Sequence, residues 1–238
     1  MRTFALLFSI LYCVTVHAQQ TFPTSAASDD VGFESIFDGK TLKDWDGDAK
    51  YWRVEDGSLV GEITAGNEIQ RNTFIIWRGG VTRDFELKLR FRISAKGNSG
   101  INYRSEELKD AKFSLKGYQF DLDGANQYTG NNYEERGRTF MALRGQITRA
   151  ADGGRREIVG SVGEGKDLAQ FMKKDDWNDV HIIARGNTLV HILNGHLMSI
   201  VVDDDAEHRM LEGKLGVQVH VGPPMKVEYR DIRLKKLE

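Results

Sequence analysis

The segment Gly117-Tyr118-Gln119-Phe120-Asp121-Leu122-Asp123-Gly124 alternates apolar and polar side chains. Such a period predicts a half-buried strand, with Tyr118, Phe120 and Leu122 on one face and Gln119, Asp121 and Asp123 on the other. At a rise of about 3.3 Å per residue the two aspartates stand roughly 6.6 Å apart. Carboxylates that close raise each other's proton affinity, which suits acid–base work or the binding of a divalent cation. The plainer reading is that Asp123-Gly124 opens a turn and Asp121 pairs with an arginine. A second row lies near the C-terminus, in Gly216-Val217-Gln218-Val219-His220-Val221. Its valines turn inward, and Gln218 and His220 share the opposite face, where an imidazole is a candidate base near neutral pH. The competing reading is an inert surface histidine. His181, His191, His196 and His208 show no metal-type spacing.

Two further clusters carry directional polar groups. Tyr133-Glu134-Glu135-Arg136-Gly137-Arg138 reads as a formed turn that aims side chains, with a solvated loop as the alternative. Gly97-Asn98-Ser99-Gly100-Ile101-Asn102-Tyr103-Arg104 reads as a tight turn followed by a strand that sends Asn102 and Arg104 to one side. The planar fork of arginine gives several fixed donors for hydroxyls or an oxyanion. Trp45, Trp52 and Trp77 are candidates for stacking on sugar rings, with core packing expected for at least two of them. The chain has no Gly-x-Ser-x-Gly elbow, no phosphate-cradling glycine loop and no His-Glu-x-x-His pair.

The elements that must position these residues are strands. Asp84–Ile93 places five apolar residues in alternation with charged ones. Further strands are expected at Tyr51–Glu55, Ser58–Glu62, Thr73–Trp77, Gly100–Arg104, Tyr118–Asp123, Thr139–Leu143, Gln146–Arg149, Val180–Ala184, Thr188–Leu193, Met198–Val202, Gly216–Val221 and Val227–Leu234. Asp56-Gly57, Gly186-Asn187 and Asn194-Gly195 punctuate them, the last being the strongest hairpin signal in the chain. Only Glu106–Ala111 and Asp167–Lys173 read as helical. So many antiparallel strands with so little helix make the fold all-β and leave a two-sheet sandwich or a jelly roll as the main solutions.

The 238 residues carry 33 Lys plus Arg against 35 Asp plus Glu. A balance this close argues against nucleic acid or an anionic membrane as partner. Arg2, the apolar run Phe4–Val16 and Val16-His17-Ala18 together read as a signal peptide over 1–18, and the periplasm or the medium is the expected location. The run is too short to span a bilayer, so no membrane insertion is expected after cleavage, an uncleaved anchor being the alternative. Residues 19–31 read as a flexible leader and 32–238 as one domain. The single cysteine, Cys13, falls inside the signal, which leaves neither disulfide nor thiol nucleophile in the mature chain.

Phe37-Asp38-Gly39-Lys40-Thr41-Leu42, followed by Trp52-Arg53-Val54-Glu55-Asp56-Gly57-Ser58-Leu59-Val60-Gly61-Glu62, resembles the opening of the 3-keto-disaccharide hydrolase family. That family is also described as 3-keto-glucoside 1,2-lyase / 3-keto-2-hydroxy-glucal hydratase. The likeness continues through Asp84-Phe85-Glu86-Leu87, Asn98-Ser99-Gly100-Ile101, Tyr103-Arg104, Gly117-Tyr118-Gln119, Asp121, Asp123, Glu135-Arg136-Gly137-Arg138, Trp177-Asn178 and Gly216-Val217-Gln218-Val219-His220, covering about residues 33–236. It implies a concanavalin-like jelly roll, an exported bacterial protein and sugar chemistry. The fold also resembles that of retaining glucanases, whose Glu-x-Asp-x-x-Glu strand is matched here only by Gln119-Phe120-Asp121-Leu122-Asp123. A neutral amide where the nucleophile would stand cannot form a glycosyl ester, which disfavours double displacement.

The resemblance thus implies a 3-keto-glucoside as carbohydrate substrate, cleaved by removal of the C2 proton and β-elimination at C1, or by net hydrolysis. On that reading His220, Glu135 and Asp121 are candidates for proton transfer. Arg104, Arg136 and Arg138 would hold the oxyanion and hydroxyls, and Gln119, Gln218 and Asn102 would orient the sugar. The sequence fixes no cofactor; Asp121 and Asp123 are the candidate ligands for a divalent metal. A non-catalytic, lectin-like carbohydrate-binding module stays open as the alternative, as does a protein-interaction domain.

Overall fold

In the computed structural model, which describes residues 30–237, burial over 85–93 follows the sequence residue by residue. Phe85, Leu87, Leu89, Phe91 and Ile93 are buried and the charged residues between them are half-buried. The signal segment and all but the last two residues of the leader lie outside the described residues. From Gly32 onward the chain forms one compact unit.

The chain runs through β1 (Glu34–Ser35), β2 (Trp45–Asp46), β3 (Trp52–Glu55), β4 (Ser58–Ile63), β5 (Thr73–Trp77) and β6 (Phe85–Ile93). Next come β7 (Asn98–Glu107), β8 (Leu115–Asp123), β9 (Asn132–Glu135), β10 (Thr139–Ala142), β11 (Gln146–Ala151) and β12 (Arg155–Ser161). After a short helix, α1 (Gly165–Leu168), follow β13 (Asn178–Arg185), β14 (Thr188–Leu193), β15 (His196–Asp203), β16 (Lys214–Val219) and β17 (Met225–Lys236).

They build the two-sheet jelly-roll sandwich expected. One sheet has the order β12-β11-β15-β14-β13-β6-β17-β4-β3, with β1 added on β17; the other runs β10-β9-β8-β7-β16-β5-β2. Strands β11 and β15 pair in parallel, and the remaining pairs are antiparallel. Asn194-Gly195 forms the two-residue hairpin, with φ of 48° and 81° and Leu193 paired to His196.

Period two decides which residues the sheets share. Ile101 and Tyr103 of β7, Tyr118, Phe120 and Leu122 of β8, and Val217 and Val219 of β16 turn into the core against the β6 row. Each such side chain contributes on the order of 1.5–3 kcal/mol when fully buried. Trp45, Trp52 and Trp77 all join that core, so none of the three is a sugar platform. Buried polar links cross it as well: Ser99 of β7 meets the Tyr229 hydroxyl of β17 at 2.6 Å, and His191 of β14 bonds to the Tyr103 hydroxyl at 2.9 Å and to the Asn131 carbonyl at 3.2 Å. Asn132 also donates to the Tyr103 hydroxyl, at 3.0 Å.

The expected helix at 106–111 is absent, because 106–107 finish β7. That at 167–173 shrinks to α1 and a 3₁₀ turn, Ala169–Phe171. The two-residue strands β1 and β2, and strands β9 and β12, escape the sequence reading. β12 is exposed almost throughout, so no alternation marks it.

Candidate active site

The polar face of the seven-stranded sheet carries the chemistry. Gln119 and Asp121 leave β8 away from the core, as their spacing requires. A Cβ on Gly100 of the neighbouring β7 would lie 2.2 Å from the Gln119 amide carbon, so that amide folds flat across the glycine. From there Gln119 donates to Asp121 Oδ1 at 2.7 Å and accepts from Gln218 Nε2 at 3.2 Å. Gln218 and Asn102 are fully buried beneath this chain.

Asp121 ends the relay at the groove wall, 8% exposed. Burial, with smaller contributions from Asp123 and Glu135, pushes its carboxyl up to about 8, against the relief that Gln119 gives. It is therefore mostly protonated at neutral pH. The next strand, β9, splits the acidic pair by period two: Tyr133 and Glu135 face the groove, while Glu134 turns to the other side. Burial and the nearby Glu135 and Asp121 hold the Tyr133 phenol above its usual value. Arg136 follows in left-handed conformation, φ 55°, its Nε 3.9 Å from Glu135 Oε1.

Across the groove stands His220, directly after β16. Its Nδ1 lies 2.7 Å from the Val221 carbonyl oxygen. A carbonyl only accepts, so Nδ1 carries the hydrogen and Nε2 keeps its lone pair while the ring is neutral. Asn72, just ahead of β5, and Asn98, at the start of β7, add two amides. An aromatic wall completes the groove: the Tyr128 and Phe140 rings stack at 6.0 Å, and Tyr133 meets Phe140 edge-on at 5.1 Å. The groove encloses about 460 Å³, room for a sugar ring and part of its substituent.

Of the residues singled out from sequence, Asp121, Glu135, His220, Gln119 and Arg136 share this groove. Five others sit elsewhere, for stated reasons. A bulge after Tyr103 and a φ of 45° at Arg104 break the alternation, and its guanidinium turns away from Asn102's face. It bonds instead to the Arg83 carbonyl at 2.7 Å, the Gly186 carbonyl at 2.6 Å and Asp84 at 2.9 Å. Arg138 is locked at 2.6 Å to both Glu134 and Asp203, and at 3.3 Å to Asp205. Asp123 takes the turn reading: its carboxylate accepts the backbone N–H groups of Gln127, Tyr128 and Thr129 at 2.8–2.9 Å. Asp123's carboxylate is thus taken up by the turn rather than turned to a shared site with Asp121, and no cluster of three or more His, Cys, Asp or Glu suited to a metal occurs among the described residues. Asn102 lies on the expected face, but it and Gln218 are floor rather than lining.

Sequence reading missed Asn72, Tyr128 and Phe140 as groove residues. They sit in turns or at strand ends, where periodicity carries no signal. A larger cavity, about 680 Å³, lies around Tyr51, Ile69, Arg71 and Phe113. Its carboxylates Asp48 and Glu68 accept the backbone N–H groups of Lys50 and Gly66 in their own turns, both at 2.9 Å.

The two sheets make a jelly-roll β-sandwich domain whose groove gathers acids, an imidazole and an aromatic wall. The chain belongs to the family of 3-keto-alpha-glucoside-1,2-lyase-like domains, whose model matches residues 32–235. A 3-keto-disaccharide hydrolase of Bacteroides thetaiotaomicron is 30% identical over 111 residues, a stretch covering 42% of this chain and 37% of that protein. A candidate glycosyl hydrolase from Parabacteroides distasonis shares the fold at a TM-score of 0.57 and 21% identity, over 87% of this chain and 94% of that one. The carbohydrate-binding module CBM66 of Bacillus subtilis shares it at 0.53 and 14%, over 81% and 96%. Among the described residues no helix is long and apolar enough to cross a membrane.

Proposed function

We propose that this domain cleaves 3-keto-glycosides by β-elimination, with hydration of the product completing net hydrolysis. The observation that carries the reading is the groove's division of labour. A carboxyl protonated at neutral pH, Asp121, shares one cavity with an imidazole whose Nε2 is available as a base, His220. Membership of the 3-keto-alpha-glucoside-1,2-lyase-like family supports a 3-keto-glycoside as the substrate.

The chemistry follows from the ketone. A carbonyl at C3 acidifies the C2 proton, because the electron pair left behind delocalises onto oxygen as an enolate. His220 Nε2 takes that proton. The enolate collapses to a C1–C2 double bond, the C1–O bond breaks, and the departing oxygen takes the Asp121 proton. Water added at C1 with a proton returned to C2 gives the free 3-keto sugar. Arg136 is the cation placed to stabilise the enolate oxygen, and Glu135 shares the proton traffic. Tyr128 and Phe140 offer apolar faces to the ring. The setting we propose is outside the cytoplasm, on the signal-like first 18 residues.

Incubating the protein with a chromogenic 3-keto-glucoside and with its unoxidised parent tests this. Aglycone release from the keto sugar alone is expected. Saturable binding of intact glycans with no release from either substrate would instead favour the lectin-like reading, to which the shared fold of the carbohydrate-binding module lends itself.

A further inference from the structure

We propose that Asn72 is a positioning residue that clamps Glu135 to the His220 turn, so that the two proton-handling arms of the groove are held as one unit. The proposal rests on the reading of the groove given above and adds a residue to it. Glu135 belongs to β9 and His220 to the end of β16, with β8 and β7 lying between those strands in the sheet. No ladder bond joins them directly.

Asn72 bridges that gap. Its Nδ2 donates to Glu135 Oε1 at 3.2 Å, and its Oδ1 accepts the Val221 N–H at 3.0 Å. Val221 in turn offers its carbonyl to His220 Nδ1. Each link has one allowed polarity. A backbone N–H can only donate, so Oδ1 must face Val221; Nδ2 is left for the carboxylate, and a flipped amide would break both bonds. The imidazole must donate from Nδ1 to a carbonyl, which keeps Nε2 as the acceptor. One amide thereby fixes where Glu135 points and holds the turn that sets the His220 tautomer. The charged and titratable groups facing this clamp are Asp121 from β8, Tyr133 and Arg136 from β9 and its turn, and His220 itself. None of them supplies the donor–acceptor pair that Asn72 does.

Two variants test it. Asn72→Ala removes both bonds, and Asn72→Asp keeps the acceptor for Val221 while losing the donor to Glu135 and repelling it. Two-bond proton–nitrogen spectra of the imidazoles read which ring nitrogen of His220 is protonated, without substrate. The wild type and Asn72→Asp should show the Nδ1–H form, and Asn72→Ala should move to the Nε2–H form favoured by a free imidazole. On a 3-keto-glucoside both variants should lose about tenfold or more in kcat with little change in KM, as misplacement of reacting groups does. An Asn72→Ala protein that keeps the wild-type tautomer or the wild-type kcat overturns the clamp. A wild type inert toward the keto sugar would refute the proposed function, and the tautomer result would still decide the clamp.

Discussion

Asp121 is where the proposed chemistry and the stability of this protein conflict. Its folded value of about 8 lies well above the unfolded 3.8, so the folded chain binds the extra proton across that interval. Stability therefore falls as pH rises from about 4 to 8, at up to about 1.4 kcal/mol per unit. Asn at this position keeps an acceptor for Gln119 and carries no charge. Asp121→Asn should melt several degrees higher at pH 8, while its turnover of an alkyl 3-keto-glucoside falls by about 10²-fold or more. An aryl aglycone, which leaves without help, should lose much less. A variant that is no more stable and loses equally on both substrates would remove Asp121 from the acid role. In the wild type, turnover of the alkyl substrate should decline above about pH 8 as the acid is deprotonated.

At the scale of the elements, the loop between β8 and β9 carries Tyr128 to the groove, and Asp123 holds that loop. Three N–H groups on one carboxylate make Asp123→Ala costly, about 1–3 kcal/mol for each buried donor left without a partner. The expected outcome is a lower urea midpoint and a raised KM, with unchanged sensitivity to chelators. A KM equal to the wild type would show that Tyr128 does not bind substrate. The sequence made much of this legible. Thr73–Trp77 and Thr188–Leu193 match the observed strands end to end, since short runs rich in apolar and β-branched residues between polar or glycine turns mark both. The groove positions of Gln119, Asp121 and His220 followed from counting by twos. Counting by twos also misled where the backbone departs from it. One bulge reverses Arg104. Glu134 and Glu135 are the opposite case, a regular strand behind a turn-like sequence that sends them to opposite faces. Asn72 was beyond reach because its role is a contact across 63 residues of sequence, for which a single chain holds no local signal.

For the molecule as a whole, the two sheets are joined by apolar packing and by buried polar links, of which His191 is one that titrates. His191 crosses from β14 to Tyr103 and to the Asn131 carbonyl, and burial drives its value down to about 3. The unfolded imidazole titrates near 6.5, so the stability gained from holding this ring neutral is full above that value. It is lost as pH falls from 6.5 toward 3. Replacing His191 with Gln should lower stability at pH 7 yet flatten its decline between pH 6 and 4. Urea unfolding across that range reads both effects, and an unchanged slope would place the acid sensitivity elsewhere.

The central claim is that this groove breaks a glycosidic bond by taking the proton from C2 of a 3-keto sugar. Running the reaction in deuterium oxide and reading the product by proton NMR tests it directly, with spontaneous exchange of substrate and product measured alongside. Elimination predicts a product that has lost its original C2 proton, either as the unsaturated sugar or as the hydrated one carrying deuterium there. A product that keeps that proton while the aglycone is released would mean direct displacement at C1 and would contradict the mechanism.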